Sequence, residues 1–289
     1  MSHNRAEELK RTFSKIRNLD PLPDEVRLVL DRCTDDSEAV VRRIFPDAII
    51  SATQLKGSIP NRDRIIRDTD CDLVLSLDDD SYPLESNSVD RIREFGESFK
   101  DVGVFTFPQI SDEFPEVRDL GKNDRKYVGS YANSGAVIRK AAYMETEGYA
   151  VLFEHAYEEP DFVLQLMDKG WKAMETRTLT IRHHYSRIER NEMRTHLMHA
   201  RNEFLSSVLR TPVFVLPITL IRVVLSQSRY AVRRGWILHE WKWWIGACIR
   251  LVEAFKLRTP VSWAAYSEWR KVLHRPIEIK DELLDSKLI

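Results

Sequence analysis

The chain has 289 residues, 43% hydrophobic and 31% charged, a composition that folds and that excludes intrinsic disorder as the main state. Its 44 Lys and Arg against 45 Asp and Glu give a formal charge of −1, so no overall field recruits nucleic acid or an anionic membrane. Ten glycines, none forming GxG and none opening GxxxxGK, exclude the glycine-rich phosphate cradles, so a nucleotide would be held by carboxylates, basic side chains or a metal.

Up to about residue 185 short β-like runs alternate with helical ones, which predicts an α/β layered domain. The spacing predicts a helix over 4–17, then a strand over 25–30 that delivers Asp31 to its carboxyl end, and a helix ending near Pro46. A second strand (48–53), a helix (61–68) and a third strand (71–77) follow, the last opening onto Asp78-Asp79-Asp80. Residues 86–99 read as helix, and 102–107 and 134–138 as strands with a polar loop over 111–126 between them. Helices over 139–147, 160–169 and 188–209 and a strand over 172–182 complete the pattern. Cys33, Cys71 and Cys248 are far apart with no CxxC pair, which points to reduced thiols in a reducing compartment. The polar start, Met1 to Arg5, lacks the apolar core of a signal peptide. The longest uncharged apolar run, 211–221, carries two prolines and falls short of the ~20 residues of a spanning helix, so no transmembrane helix is expected.

From about residue 201 the character changes. Residues 201–289 hold 15 Lys and Arg against 8 Asp and Glu, a net of +7, which leaves −8 for residues 1–200. Between Trp236 and Phe255 a helical projection places Trp236, Glu240, Trp241, Trp243, Trp244, Ile245, Ala247 and Leu251 on one arc and His239, Lys242, Gly246, Arg250 and Glu253 on a polar strip. Tryptophans beside basic residues suit an interfacial helix lying on a membrane; the same pattern also suits a helix packed on the preceding domain or on a second subunit.

Four constellations carry chemistry. Asp78-Asp79-Asp80 is either a solvated turn or, at the carboxyl end of a strand, a site for a divalent ion shared with diphosphate oxygens. Tyr157-Glu158-Glu159-Pro160-Asp161 reads as an ordinary helix start or as the source of a general base. His183-His184 after a strand is either a surface pair or a third ligand for the ion. Arg187, Arg190, Arg194 and Arg201, with His196 and His199, form either a solvated face or a cationic surface for diphosphate.

Taken in order, these residues resemble the family 2 glycosyltransferases, inverting enzymes of bacterial cell-surface polysaccharide type with the GT-A fold, a Rossmann-like nucleotide-diphospho-sugar transferase sandwich. Asn4-Arg5-Ala6-Glu7-Glu8-Leu9 is similar to the end of the family's first strand and the start of its first helix, and the segment from Glu25 to Asp36 to the one whose acid, here Asp31, contacts the nucleotide base. Gly57 to Asp63, with Arg62, resembles the basic nucleotide-contacting loop; Asp78, Asp79 and Asp80 resemble the DxD element that touches the ribose and coordinates Mg2+ or Mn2+. Gly129 to Arg139, with Asn133-Ser134-Gly135-Ala136, resembles the acceptor-side stretch, Glu158-Glu159-Pro160-Asp161 the motif of the catalytic base, His183 or His184 the histidine that completes the metal shell, and Arg201-Asn202 a downstream Arg-Asn pair. The resemblance implies donor binding by Asp31, Arg5, Arg62, Asp78, Asp79 and Arg201, metal binding by Asp80, Asp78 and His183 or His184, and catalysis by Glu159 or Glu158 with Asp161.

Three positions depart from that pattern. Glu158-Glu159 stands where Glu-Asp is usual, Arg62-Asp63 where Arg-Asn is usual, and the chain opens where the family's first, central strand would already have ended. That last departure sets up the expectation of a truncated or wrongly assigned start, and otherwise of a weakened enzyme, because a missing central strand exposes ladder hydrogen bonds on two neighbours. The expected organisation is a glycosyltransferase domain over 1–205 and a basic, Trp-rich helical region over 206–289, membrane-associated or packed on it. The expected partners are a nucleotide-diphosphate sugar and a glycan or lipid-linked acceptor of cell-wall or polysaccharide assembly, in the cytoplasm or on the cytoplasmic face of the membrane, with no nucleic acid. The alternative is a catalytically weak nucleotide-sugar-binding or scaffold protein with an incomplete fold.

Overall fold

A computed structural model describes residues 1–53, 55, 57–116, 125–184 and 191–279. The order is α1 (Ala6–Ile16), β1 (Arg27–Asp31), α2 (Ser37–Ile44), β2 (Ile49–Thr53), α3 (Ser58–Asp68), β3 (Leu73–Ser76), β4 (Ser81–Pro83), α4 (Ser88–Ser98), β5 (Val102–Thr106), β6 (Gln109–Ile110), β7 (Arg125–Tyr127), β8 (Ala136–Arg139), α5 (Lys140–Met144), α6 (Glu158–Asp168), β9 (Lys172–Thr176), β10 (Ile181–His183), α7 (Glu192–Arg210), α8 (Leu216–Arg234), α9 (Trp241–Lys256), α10 (Trp263–His274) and β11 (Ile277–Glu278). The expected strand over 172–182 is two strands. β9 enters the main sheet, and β10 leaves it to pair with β4 and β6.

The main sheet has six strands in the order β11-β7-β9-β5-β8-β3, with α6 and α10 packed against each other beside it. Its central strand β5 is fully buried, as an uninterrupted Val-Gly-Val-Phe-Thr run demands of a strand covered on both faces. A small sheet, β4-β10-β6, sits at the carboxyl end of β3 and pairs His183 with Ser81, which follows Asp80 directly. β1 and β2 form a separate parallel pair covered by α1 and α2 through Leu9, Phe13, Leu28, Leu30, Val41 and Phe45. Among the described residues no strand precedes β1, and only an isolated parallel bridge from Ser2 to Leu30 lies on its other edge.

The helical region continues the same core. α7 runs unbroken through residue 205, and Leu205, Val208, Leu209, Ala254, Val261, Tyr266 and Trp269 share one cluster with Ile138, Phe162 and Leu166 of the α/β part. The Trp269 indole donates to Gly129 O at 2.9 Å, and a Cβ at Gly129 would meet Leu273 at 2.6 Å, so α10 lies against bare backbone. α9 packs on α7 with Trp243 and Ala247 buried against Ala200. The one acid on the projected apolar arc, Glu240, is buried between the His196 ring (2.8 Å) and the Trp243 indole (2.8 Å), so its lone pairs are satisfied. Arg250, expected on a solvated strip, instead turns inward to Glu154 at 3.0 Å. Packing therefore claims one side of the Trp-rich helix. On its other side Trp241, Ile245, Ile249, Val252 and Phe255 stand exposed, Ile249 at 73%. No helix among the described residues is long and apolar enough to cross a membrane.

Candidate active site

The site forms where several elements end together. β1 ends on Asp31, β3 leads into Asp78-Asp79-Asp80, α3 carries Arg62 in its second turn, α6 begins at Glu158, and β10 ends on His183. Backbone pairing of β10 with β4 brings His183 beside Asp80, with Nε2 3.2 Å from Asp80 Oδ1 and 3.6 Å from Asp78 Oδ2. Ligand atoms of Asp78, Asp80 and His183 all lie within 4.8 Å of one another. Gln109 Oε1 lies 3.2 Å from His183 Nδ1, while its amide nitrogen is committed to Ser134 O. Nδ1 therefore donates, by assignment from this network, and Nε2 faces the two aspartates. Asp80 Oδ1 is buried without a hydrogen bond. Two carboxylate oxygens and one imidazole nitrogen converging in this way fit a divalent cation.

Around this group the charges are crowded. Arg5 forks across Asp79 (2.6 Å) and Asp80 (2.9 Å), and Arg62 pairs with Asp78 and lies 3.8 Å from Glu158. Burial raises the Asp78 carboxyl, but Arg62 and then His183 outweigh it and hold its pKa below the usual range. Asp80 is lowered in the same way, against burial, by His183 and Arg5. Asp79 goes the other way, raised by burial in spite of Ser2 and Arg5. Thr12 donates to Asp79 O at 2.9 Å, and the Ser81 hydroxyl accepts the Asp78 N–H at 2.8 Å, so the acidic turn is anchored from both sides.

The two glutamates differ. Glu158 is buried beside Arg62 and Asn133, whose amide reaches its Oε1 at 3.4 Å. Glu159 is half-buried, and burial first and the Glu158 charge second push its pKa up to about 8. The turn ahead of them is strained, because Glu154, Ala156 and Tyr157 all have positive φ (63°, 70° and 71°). Asn202 holds that turn by donating to the carbonyls of Phe153, His155 and Ala156, and Arg201 donates to Phe153 O at 2.7 Å. On the opposite side Gly57 (φ 92°) lets α3 approach so closely that a Cβ would lie 2.1 Å from Glu154 O.

Three expected site residues are placed elsewhere. His184 turns its ring to Tyr82 OH (3.0 Å) and Asp112 (3.7 Å), since successive side chains of a strand face opposite ways; only its N–H meets Asp80 O, at 2.9 Å. Asp161 is fully buried and committed to Ser206 (2.6 Å), Gln165 (2.9 Å) and Arg210 (3.3 Å), which leaves no lone pair for a substrate proton. Arg201 clamps the strained turn and does not reach the aspartates with any bond recorded among the described residues. Asp31 does lie at the end of β1, with Arg32 on both of its oxygens (2.8 and 3.2 Å). Arg187 and Arg190 of the expected cationic row lie outside the described residues. Asp63, the departure from the usual Arg-Asn, faces away to Arg67 (3.0 Å) and Tyr143 OH (2.6 Å), so its charge is not spent on the site. Pattern reading missed Gln109, Asn133 as a support for Glu158, and the linked Tyr131 and Tyr149 hydroxyls (2.7 Å) beneath it. Neither Gln109 nor Tyr149 carries a local motif.

The family described as Glycosyl transferase family 2 matches residues 1–160. Curated proteins give no match. Among solved structures, S. aureus TarS 1-349 in complex with UDP-GlcNAc is similar with a TM-score of 0.59 at 14% identity, covering 94% of this chain and 84% of that one. Against the longer TarS structure the chain spans 51% of that chain. The mannosyltransferase PcManGT from Pyrobaculum calidifontis, in complex with GDP-Man and Mn2+, is similar with a TM-score of 0.52 at 12% identity, covering 86% and 84%. These likenesses show a GT-A fold, as the resemblance implied.

Proposed function

The chain belongs to glycosyl transferase family 2, and from that premise we propose that it moves one sugar from a nucleotide-diphosphate sugar to a hydroxyl acceptor, with inversion at the anomeric carbon. One observation carries the reading: Asp78, Asp80 and His183 converge, with Arg5 and Arg62 beside them and Glu158-Glu159 across Arg62. A divalent ion, Mg2+ or Mn2+, bound by these three residues would neutralise charge on the departing diphosphate. Arg5 and Arg62 are then drawn from the carboxylates toward diphosphate oxygens, and Asp31 is available to the nucleotide base at the end of β1. Glu159 takes the acceptor's proton, and Glu158, tied to Arg62 and Asn133, positions it and tunes its basicity. A single accepting carboxylate on the acceptor side matches direct displacement and hence inversion.

The acceptor in this reading is a glycan or a lipid-linked hydroxyl of cell-wall or polysaccharide assembly, met on the cytoplasmic face of a membrane. Its support is the outer side of the helical region. The exposed stripe of α9 and a second one on α8 (Ile218, Ile221, Leu225, Val232) are interleaved with exposed Arg222, Arg229, Arg233, Lys242 and Lys256. A panel of nucleotide sugars with Mg2+ or Mn2+ and lipid extract, read as nucleotide-diphosphate release, tests the reading. Full turnover in excess EDTA would overturn the metal role, and tight donor binding without turnover would favour a binding or scaffold protein.

A further inference from the structure

A short way ahead of the two glutamates the chain passes through an unusual turn. Glu154 has φ 63° and ψ −46°, and His155 N donates to Phe153 O across it at 2.7 Å, which makes Glu154 the centre of a γ-turn of the rare, strained hand. Strain of this kind persists only where the surroundings over-determine it. Three elements meet on this residue. Its carbonyl accepts the Ile59 N–H of α3, the helix that carries Arg62, at 3.2 Å. Its carboxylate faces Arg201 of α7 on one oxygen (4.0 Å) and Arg250 of α9 on the other (3.0 Å).

The close approach of α9 serves that contact. Gly246 and Arg250 share one face of the helix, and a Cβ at Gly246 would come within 3.1 Å of Arg201 Cδ. α9 therefore runs close enough over α7 to bring the Arg250 guanidinium to Glu154. The two arginines repel: burial first and the Arg250 charge second lower the Arg201 pKa, and Glu154 opposes both. All three side chains are partly buried, so water screens this group only in part. Arg201 and Asn202 hold the carbonyls of the turn from α7, and Arg250 holds its acidic side chain from α9.

We propose that Glu154 and Arg250 are positioning residues for transfer: their ion pair locks the γ-turn, and the locked turn sets the direction in which α6 presents Glu158 and Glu159. Neither residue touches the reacting atoms. Tyr157, at φ 71°, is the N-cap of α6, so a chain that relaxes at Glu154 rotates the first turn of α6, where both glutamates sit. Donor contacts are less affected, because α3 is tied independently by Asn61 to Gly57 O (2.8 Å) and by Arg67 to Glu147 O (2.8 Å). The Trp-rich region then belongs to the catalytic apparatus. The kinetic consequence rests on the transfer reading above; the local rigidity does not.

The experiment compares the full chain with Arg250→Met, which keeps a long side chain and loses the charge, with Arg250→Lys, which keeps the charge, and with Glu154→Gln. Native-state hydrogen exchange is read at the amides of Ile59 and His155, which close the turn, against those of Val104 and Phe105 in β5. Nucleotide-diphosphate release is read with the nucleotide-sugar panel, Mn2+ and lipid extract. In Arg250→Met and Glu154→Gln the turn amides are expected to exchange about tenfold faster or more while β5 keeps its protection, and kcat to fall about tenfold or more with donor KM within about threefold of the parent. Arg250→Lys should recover most of both. Parent-like exchange in Arg250→Met, a loss that Arg250→Lys does not recover, equal loosening of β5, or faster exchange with kcat unchanged overturns the proposal. If no form turns over, the parent included, the transfer reading falls, and the amides alone decide whether the pair locks the turn.

Discussion

The α/β part and the helical part are incomplete in opposite ways. At the carboxyl ends of the strands the polar groups outnumber their partners: Asp80 Oδ1 and Glu158 Oε2 are buried without hydrogen bonds, and three adjacent aspartates share two arginines. In the helical part the acid on the packed face, Glu240, is satisfied, yet on the outer side of α8 and α9 large apolar side chains are left in water. Unsatisfied polar groups in a recess call for an ion and a charged ligand, and unsatisfied apolar groups on a convex helix call for an apolar surface. The difference in sign, −8 against +7, follows the same division.

The sharpest way to break this contrast is Asp80→Ala. It removes a carboxylate from the group with His183, and transfer should fall by about a thousandfold or more, the scale of a lost electrostatic contribution in a dry site; circular dichroism and the thermal midpoint should show the fold retained. Retained metal-stimulated turnover would mean that the acidic turn is only a turn.

Next in size is Glu159→Gln, expected to lower kcat by about 10²–10⁴ as for a lost general base. Glu159 also sets a pH test. A carboxyl with its folded pKa raised to about 8 must lose its proton to act, so kcat/KM should rise with pH up to about 8. Glu158→Gln removes the second cause of the shift, and the rising limb should move to lower pH. The sign for stability is opposite. The folded state holds this proton more tightly than the unfolded one, so the contribution is complete below the ordinary glutamate range and is lost as pH rises toward 8. A flat profile would remove Glu159 from the role.

Asp161→Asn separates a site residue from a structural one two positions away. Breaking a buried pair with Arg210 should cost about 3–5 kcal/mol, read by denaturant unfolding. At a temperature where the variant is folded, KM for the donor should be unchanged. A selective loss of kcat would restore Asp161 to the chemistry.

The smallest effect is the most specific to the other half. Ile249→Glu, on the exposed stripe, should weaken partition to anionic vesicles several-fold and leave the unfolding free energy within about 0.5 kcal/mol of the parent, as for surface changes generally. Wild-type protein that binds no such vesicles at low salt would sink the membrane reading.

Much of this was legible as pattern. The strand that ends on Asp31 and the one that leads into Asp78 announce themselves by apolar runs followed by acids, and the start of α6 by Pro160 among acids, because these are local requirements of strands and helix termini. His183 and His184 were inseparable in sequence. Only the pairing of β10 with β4 decides that the first faces Asp80 and the second Tyr82. Arg201-Asn202 was readable as a pair, but its task, holding three carbonyls of a strained turn some 46 residues away, depends on where α7 docks. The Trp-rich helix likewise disclosed an apolar arc without disclosing which part of it α7 would cover.

By itself, the sequence determined the alternation of elements, the absence of a glycine cradle, the split of charge and three adjacent aspartates after a strand. These are properties of neighbours along the chain, and chain spacing carries them. The tertiary structure alone decided which of two adjacent histidines, His183 and His184, faces the aspartates, and that β1 and β3 stand apart across a cavity. Side-chain direction and strand adjacency are set by pairing and burial between segments far apart in sequence, and no local pattern records them.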